Sequence, residues 1–399
     1  MPVAGIVAEY NPFHTGHAHQ IARTREVLGT DAGVVAVMSG NWVQQADCAI
    51  ADKWIRARLA LMGGADLVLE LPTVWAMSSA ESFGRGAVEL MAASGVVTHL
   101  SFGSECGDAE KLRRVAACLD GEDYPAALAR QLEQGLPFAV CRQRAAEELL
   151  GQDLGGLLAT PNNNLGVEYI RALNAMNADI CPMTVLREGA AHNSMDTDRP
   201  KFVSATRIRH DLRAGDMERA ESYLVPGGRA VLEGNGLPAL FRVERSILTR
   251  LRTMTAEDWA RLPDSGAAEG LPQRLEKAGR QCVSLEEFFE LAKTKRYTHA
   301  RLRRLVLWAW LGIAAADVPG KPPYLRVLGM NTRGRMLLRE MKETAQIPIL
   351  TKPAHARELG EEGLRLFELE SRCTDLYDLC FDTVRPAGRE WTAGPVVLE

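Results

Sequence analysis

The chain has 399 residues, 46% hydrophobic and 25% charged, with 47 Lys and Arg against 51 Asp and Glu for a net charge of −4. That apolar share suffices for a buried core, the length predicts two domains or a core with a large appendage, and the acidity does not advertise nucleic-acid binding, although a whole-chain average can hide a basic face. No apolar run reaches the roughly 18 residues of a membrane span, so Leu305–Ala316 reads as a buried helix.

Strand and helix signals alternate through the first hundred residues. Val3–Ala8 is a short apolar run, with no basic segment and cleavage site of a signal peptide. Gly16–Leu28 has helical spacing, and Gly33–Met38 is a second apolar run ending in Ser39-Gly40-Asn41. Asp52–Met62 predicts a helix with Ile55, Leu59 and Met62 on one face, followed by a strand at Asp66–Leu71. Ser78–Ala93 predicts a helix and Val96–Phe102 a fourth strand ending at Gly103. Short apolar strands separated by helices imply a parallel sheet with right-handed crossovers, whose ligands sit at the carboxyl ends of the strands. The polar stretches Glu9–His17, Ser39–Gln45 and Gly103–Glu105 all follow such ends.

Residues 107–150 read as helical and charged, Pro161-Asn162-Asn163-Asn164 as a turn before a helix at Gly166–Met176, and Met183–Arg187 as another strand. Ser204–Ala214 predicts a helix entered through Ser204. Pro226-Gly227-Gly228 marks a boundary, which places an α/β, Rossmann-like domain at 1–225 and a mostly helical domain at 226–399. The eight cysteines (Cys48, Cys106, Cys118, Cys141, Cys181, Cys282, Cys373 and Cys380) contain no Cys-x-x-Cys pair. They read as free thiols of a reducing cytoplasm, and no metal site is expected from their spacing.

His14-Thr15-Gly16-His17 lies between the first strand and the first helix. Two imidazoles three residues apart can reach one anion on the helix N-terminus, where the dipole and free N–H groups favour negative charge. Such donors steady the charge that builds up during displacement at phosphorus. In Phe202-Val203-Ser204-Ala205-Thr206-Arg207-Ile208-Arg209, Ser204 can cap a helix while Thr206 and Arg209 point to the same end. Taken alone it is an ordinary N-cap; beside the histidine motif it is a second anion cradle.

The pair of motifs resembles the class I nucleotidyltransferase superfamily, whose members attack the α-phosphate of ATP and release pyrophosphate. Further blocks narrow the resemblance: Gly5-Ile6-Val7-Ala8-Glu9-Tyr10-Asn11-Pro12-Phe13-His14, Val37-Met38-Ser39-Gly40-Asn41, Asp52-Lys53-Trp54, Gly64-Ala65-Asp66-Leu67-Val68-Leu69-Glu70-Leu71-Pro72 and Pro161-Asn162-Asn163. In this order they are similar to the bacterial tRNA(Met) cytidine acetate ligase family. The likeness runs through about the first 215 residues and continues more loosely through Lys295-Arg296-Tyr297-Thr298 and Arg301-Leu302-Arg303-Arg304. Two departures stand out: Thr15 where that family has asparagine, and Gln45-Ala46-Asp47-Cys48 where it has Gln-Arg-Gly-Glu-Pro, so that an arginine is missing at Gln45.

The resemblance implies an ATP site formed by Val7, Ala8, Glu9, Tyr10, Asn11, Pro12, Phe13, His14, Thr15, Gly16, His17, Ala18, His19 and Gln20, with Gly103, Asn162 or Asn163, and Arg187. It implies ATP, with Mg²⁺ accompanying it, and acetate and elongator tRNA(Met) as partners, with no membrane or DNA partner. Acetate would attack the α-phosphate to give acetyl-adenylate and pyrophosphate, and the wobble cytidine amine would take the acetyl group, giving N4-acetylcytidine and AMP. His14 and His17 would stabilise the pentavalent phosphorus, and Ser204, Thr206 and Arg209 would hold the pyrophosphate. Lys53 reads either as a phosphate contact or as an exposed surface charge, and Asp52 as a helix cap or a holder of metal-bound water.

Lys293, Lys295, Arg296, Arg301, Arg303 and Arg304 form a basic stretch, followed by Lys321, Arg326, Arg333, Arg335 and Arg339 with aromatic residues interleaved. It reads as a face for a phosphate backbone, or as a solvated helix surface paired to Glu286, Glu287 and Glu290. The resemblance favours RNA. A small-molecule adenylyltransferase, or a non-catalytic RNA-binding protein on a nucleotide fold, are the alternatives.

Overall fold

The structure, a computed structural model, describes residues 1–187, 202–294 and 296–399. Its centre is a sheet of β1 (Val3–Ala8), β2 (Gly33–Ser39), β5 (Leu67–Leu71), β6 (His99–Ser104) and β7 (Cys181–Leu186); a small antiparallel pair, β3 (Trp42–Val43) with β4 (Asp47–Cys48), lies between the second and third of these. The neighbour order β5-β2-β1-β6-β7 is parallel throughout. Runs such as Gly33–Ser39 are buried along their whole length, as a sheet covered on both faces requires. The order reverses between β1 and β6, and a ligand crevice opens at such a switch point beyond the carboxyl ends. Helix α1 (Thr15–Leu28) leaves β1 and helix α2 (Lys53–Met62) leads to β5. The Rossmann-like α/β class expected from the alternation is the one observed.

The sheet does not end with the first 225 residues. β8 (Leu325–Met330) adds antiparallel to β5, with Leu67 opposite Met330, and itself pairs parallel with β9 (Ile349–Leu350) and β10 (Val396–Val397). The hydrophobic core is shared in the same way: Val35, Leu69 and Trp42 belong to one cluster with Leu305, Trp308 and Val327. The strands that extend the sheet therefore come from beyond residue 225, within the segment expected to be mostly helical. The later segment is helical through Leu311, where Ile247, Leu251, Trp259, Leu275 and Phe288 make its core, and then returns to the sheet.

What fastens this return is buried charge. Lys53, fully buried at the start of α2, bonds Glu70 Oε1 at 2.7 Å and Glu390 Oε2 at 2.6 Å. Arg326 of β8 lies 3.5 Å from Glu390, and Glu370 accepts from the backbone N–H and hydroxyl of Thr73 at 2.6 and 2.8 Å. Burial first, and then Glu70, push the Glu370 carboxyl up to about 8. Removing one partner of a buried pair costs about 3–5 kcal/mol, so these side chains tie α2 and β5 firmly to the C-terminal helices. Lys53 is therefore not an exposed charge, its ammonium being taken up by Glu70 and Glu390, and Arg326, read as part of a basic face, is core.

Candidate active site

A cleft of about 370 Å³ opens at the switch point. One wall is the turn after β1. Tyr10 there has φ 46°, a left-handed conformation uncommon for a non-glycine residue, and its ring is buried against Phe13 at 4.7 Å and His17 at 4.8 Å. Asn11 accepts from the backbone N–H of Ile50 at 2.7 Å. These contacts fix the approach to α1.

His14 is the N-cap of α1, and its Nδ1 accepts the backbone N–H of Gly16 at 3.0 Å. The backbone N–H of His14 in turn donates to Nδ1 of His17 at 3.2 Å. Each Nδ1 is thus an acceptor, so each neutral ring carries its proton on Nε2 and presents it as a donor. The rings lie 3.8 Å apart between centroids. Burial, reinforced by Arg187 and Arg209, lowers His14 to about 3; burial, His14 and Arg187 hold His17 well below the usual imidazole value. Both are neutral donors at neutral pH. Gly16 is required here by space, because a Cβ would sit 2.8 Å from His14 Cε1.

The second motif closes on the first. Ser204 caps the helix Ala205–Arg213 by accepting from the Arg207 backbone at 3.2 Å. Arg209 donates to the Asn11 carbonyl at 2.8 Å and to the Thr206 hydroxyl at 3.1 Å, joining segments 198 residues apart. Two helix N-termini, two imidazoles and a guanidinium therefore face one cleft, an arrangement suited to a polyphosphate.

The opposite wall comes from β6, β7 and the helix Pro161–Met176. Gly103, Asn162 and Arg187 line it, beside the apolar surface of Phe102, Leu165, Tyr169 and Val185. Asn162 donates to Glu105 Oε1 at 2.6 Å. Asn163 does not reach the cleft: it is buried, and its Oδ1 accepts the backbone N–H groups of Glu105 and Cys106 at 3.0 and 3.1 Å.

Of the expected site residues, Val7, Ala8, Glu9, Tyr10, Asn11, His14, Gly16, His17, His19, Gln20, Gly103, Asn162, Arg187, Ser204, Thr206 and Arg209 line the cleft. Pro12, Phe13, Thr15, Ala18, Asn163 and Lys53 do not; Phe13 is wholly buried and Thr15 donates its backbone N–H to Tyr223. The lining adds Gln44, which the polar run after β2 signalled, and the apolar Phe102, Leu165 and Tyr169, whose sequence signal is that of any core residue. Among the described residues no group of three or more His, Cys, Asp or Glu could hold a metal ion. Among them, too, no helix is long and apolar enough to cross a membrane.

The basic stretch divides. Arg301 pairs with Asp264 at 3.1 Å and Glu269 at 3.2 Å, and Arg304 with Asp264 at 3.2 Å, rather than with Glu286, Glu287 or Glu290. Lys293, Arg296 and Arg303 are exposed, and Lys295 lies outside the described residues.

A family model of the HIGH nucleotidyl transferases matches residues 1–390. A tRNA(Met) cytidine acetate ligase of Caldanaerobacter subterraneus subsp. tengcongensis is 38% identical over 96% of both chains, and one of Syntrophomonas wolfei is 34% identical over 99% of both. Among solved structures, Thermotoga maritima TmcAL without ligand superposes with a TM-score of 0.94 at 33% identity, covering 100% of each chain. The same protein bound with alpha-thio ATP superposes at 0.91 with 32% identity, covering 100% of this chain and 99% of that one. With the histidine cradle at the switch point and full-length likeness on both counts, this chain belongs to the HIGH nucleotidyl transferases, in the tRNA(Met) cytidine acetate ligase family.

Proposed function

We propose that this protein activates acetate with ATP and transfers the acetyl group to N4 of the wobble cytidine of elongator tRNA(Met). The observation that carries the reading is the convergence of His14, His17 and Arg209 on one cleft, held together by the Arg209 bonds to Asn11 and Thr206. The cleft would take ATP with its α-phosphate at the two Nε2–H donors and its β- and γ-phosphates toward Ser204, Thr206 and Arg209. The apolar wall of Phe102, Leu165 and Val185 is suited to the adenine face. Acetate then attacks phosphorus, the P–O bond to pyrophosphate breaks, and the neutral imidazoles stabilise the five-coordinate phosphorus without a proton changing hands. Mg²⁺ would enter on the ATP phosphates and offset their charge. The alpha-thio ATP complex of the Thermotoga relative supports a nucleotide in this fold.

Residues 1–225 would supply this chemistry. The helical portion that follows would carry the RNA contacts, through Lys293, Arg296 and Arg303 on its surface. The wobble base must leave its stack to reach the cleft. Incubation with ATP, labelled acetate and unmodified methionine tRNA, followed by nucleoside analysis, tests the reading. Labelled N4-acetylcytidine is the expected product. ATP turnover that ignores tRNA would instead favour a small-molecule adenylyltransferase.

A further inference from the structure

Glu9 is the one carboxylate among the described residues that line the cleft. It stands at the end of β1, and the backbone N–H of Gln44 donates to its Oε1 at 2.8 Å. Every other polar side chain of the lining is cationic or neutral. That is what a site for ATP and acetate calls for, since both are anions. A fixed carboxylate among them repels both substrates unless it meets a donor.

Resting on the acetate-ligase reading, we propose that Glu9 receives the exocyclic amine of the incoming cytidine and accepts its proton during acetyl transfer. A carboxylate is the natural acceptor for cytosine N4–H. In the step, the amine nitrogen bonds the carbonyl carbon of acetyl-adenylate and the carbon–oxygen bond to AMP breaks. One amine proton passes to Glu9, and AMP leaves with the electron pair. The adenine amine of ATP is the competing donor. The anchor of Glu9 argues against it: Gln44 follows β3, on the side of β1 away from β6 and β7, which carry Phe102 and Val185 of the surface suited to the adenine face.

The groups that act on Glu9 come from all sides. Burial raises its carboxyl; the Gln44 N–H, Arg209 and Arg56 pull it down; Asp47 pushes it up. Tyr169, across the cleft, is neutral, its hydroxyl raised by burial and then by Glu9. The net effect is a carboxyl above the usual range, nearer the value a base needs at neutral pH.

The test separates the two half-reactions in the full-length Glu9→Gln protein, which keeps an acceptor for the Gln44 N–H. Acetate-dependent ATP–pyrophosphate exchange reads activation, and N4-acetylcytidine formation on unmodified tRNA reads transfer, each followed from mildly acidic to mildly alkaline pH. Loss of a general base costs about a hundredfold or more. Transfer should therefore fall by at least that factor and lose its acidic limb, while exchange falls at least tenfold less. A parallel fall of exchange and transfer would place Glu9 on ATP or acetate and overturn the proposal. So would transfer at the wild-type rate and pH profile. If Glu9→Gln does not fold, the wild-type profiles decide: an acidic limb in transfer alone supports the assignment, and one in both reactions or in neither overturns it. A wild-type enzyme without acetate-dependent exchange would overturn the acetate-ligase reading itself, and the assignment with it.

Discussion

Replacing His14 with asparagine separates what this residue does for folding from what it does for chemistry. In the structure His14 Nδ1 caps α1 by accepting the Gly16 N–H at 3.0 Å, and the opposite edge of its ring faces the cleft. Asparagine is among the best N-cap residues, whereas loss of a cap to alanine costs about 1 kcal/mol. His14→Asn should keep the cap and hold the melting temperature within a few degrees, since about 1 kcal/mol moves a domain of about 150–250 residues by roughly 2–4 °C and a larger one by less. It cannot place a donor where Nε2–H stood. Removal of one preorganised donor from a developing oxyanion costs about 2.7–4 kcal/mol, or about a hundred- to a thousandfold in kcat. The assays are thermal denaturation and acetate-dependent ATP–pyrophosphate exchange on the same preparation. A fall in exchange of at least about a hundredfold with an unchanged melting temperature is expected. Exchange within threefold of wild type would refute the role of the ring as a donor, and a matching collapse in stability would show that its work is structural.

Lys53→Met should lower stability by about 3–5 kcal/mol, because Glu70 and Glu390 lose their buried partner. Exchange per folded molecule should be retained; loss of exchange without loss of stability in denaturant titration would return Lys53 to the phosphate site. The ligand-free protein should lose stability as pH falls below 6.5: the unfolded chain takes up protons at the ordinary histidine value while folded His14 refuses them until about 3. A group with a depressed folded pKa stabilises fully above its unfolded value and less at each step below it, here by up to about 1.4 kcal/mol per pH unit. Melting curves at stepped pH check the slope, which His14→Asn should make shallower. Alanine at Lys293, Arg296 and Arg303 together should raise KM for tRNA and flatten its salt dependence while leaving tRNA-free exchange intact. Alanine at Arg301 or Arg304 should instead lower the melting temperature, since both are paired with Asp264; unaltered tRNA KM in the triple variant would move the RNA surface elsewhere.

The sequence by itself determined the parallel sheet and set the histidine motif at the carboxyl end of its first strand. Apolar runs such as Val3–Ala8 and Gly33–Ser39 must be covered on both faces, and His14, Gly16 and His17 follow the first of them directly. These are local signals, readable from neighbours in the chain. The hydroxyls and guanidinium of Ser204, Thr206 and Arg209 were legible as a helix start, and the pairing with the histidines gave them a purpose. The tertiary structure decided what depends on partners far away in sequence. β8 escapes a periodicity reading because Arg326 interrupts its apolar run, and that arginine is tolerated only beside Glu390. Lys53 carries no sign, in its own segment, that Glu70 and Glu390 will enclose it. Asn162 and Asn163 are adjacent and alike, yet the fold turns one toward the cleft and spends the other on the backbone of Glu105 and Cys106. The same holds for charge on the surface, where Asp264 takes up Arg301 and Arg304 and leaves Arg303 exposed. Burial and pairing are sums over the whole molecule, and a charged side chain acquires its role only when the fold has chosen its neighbours.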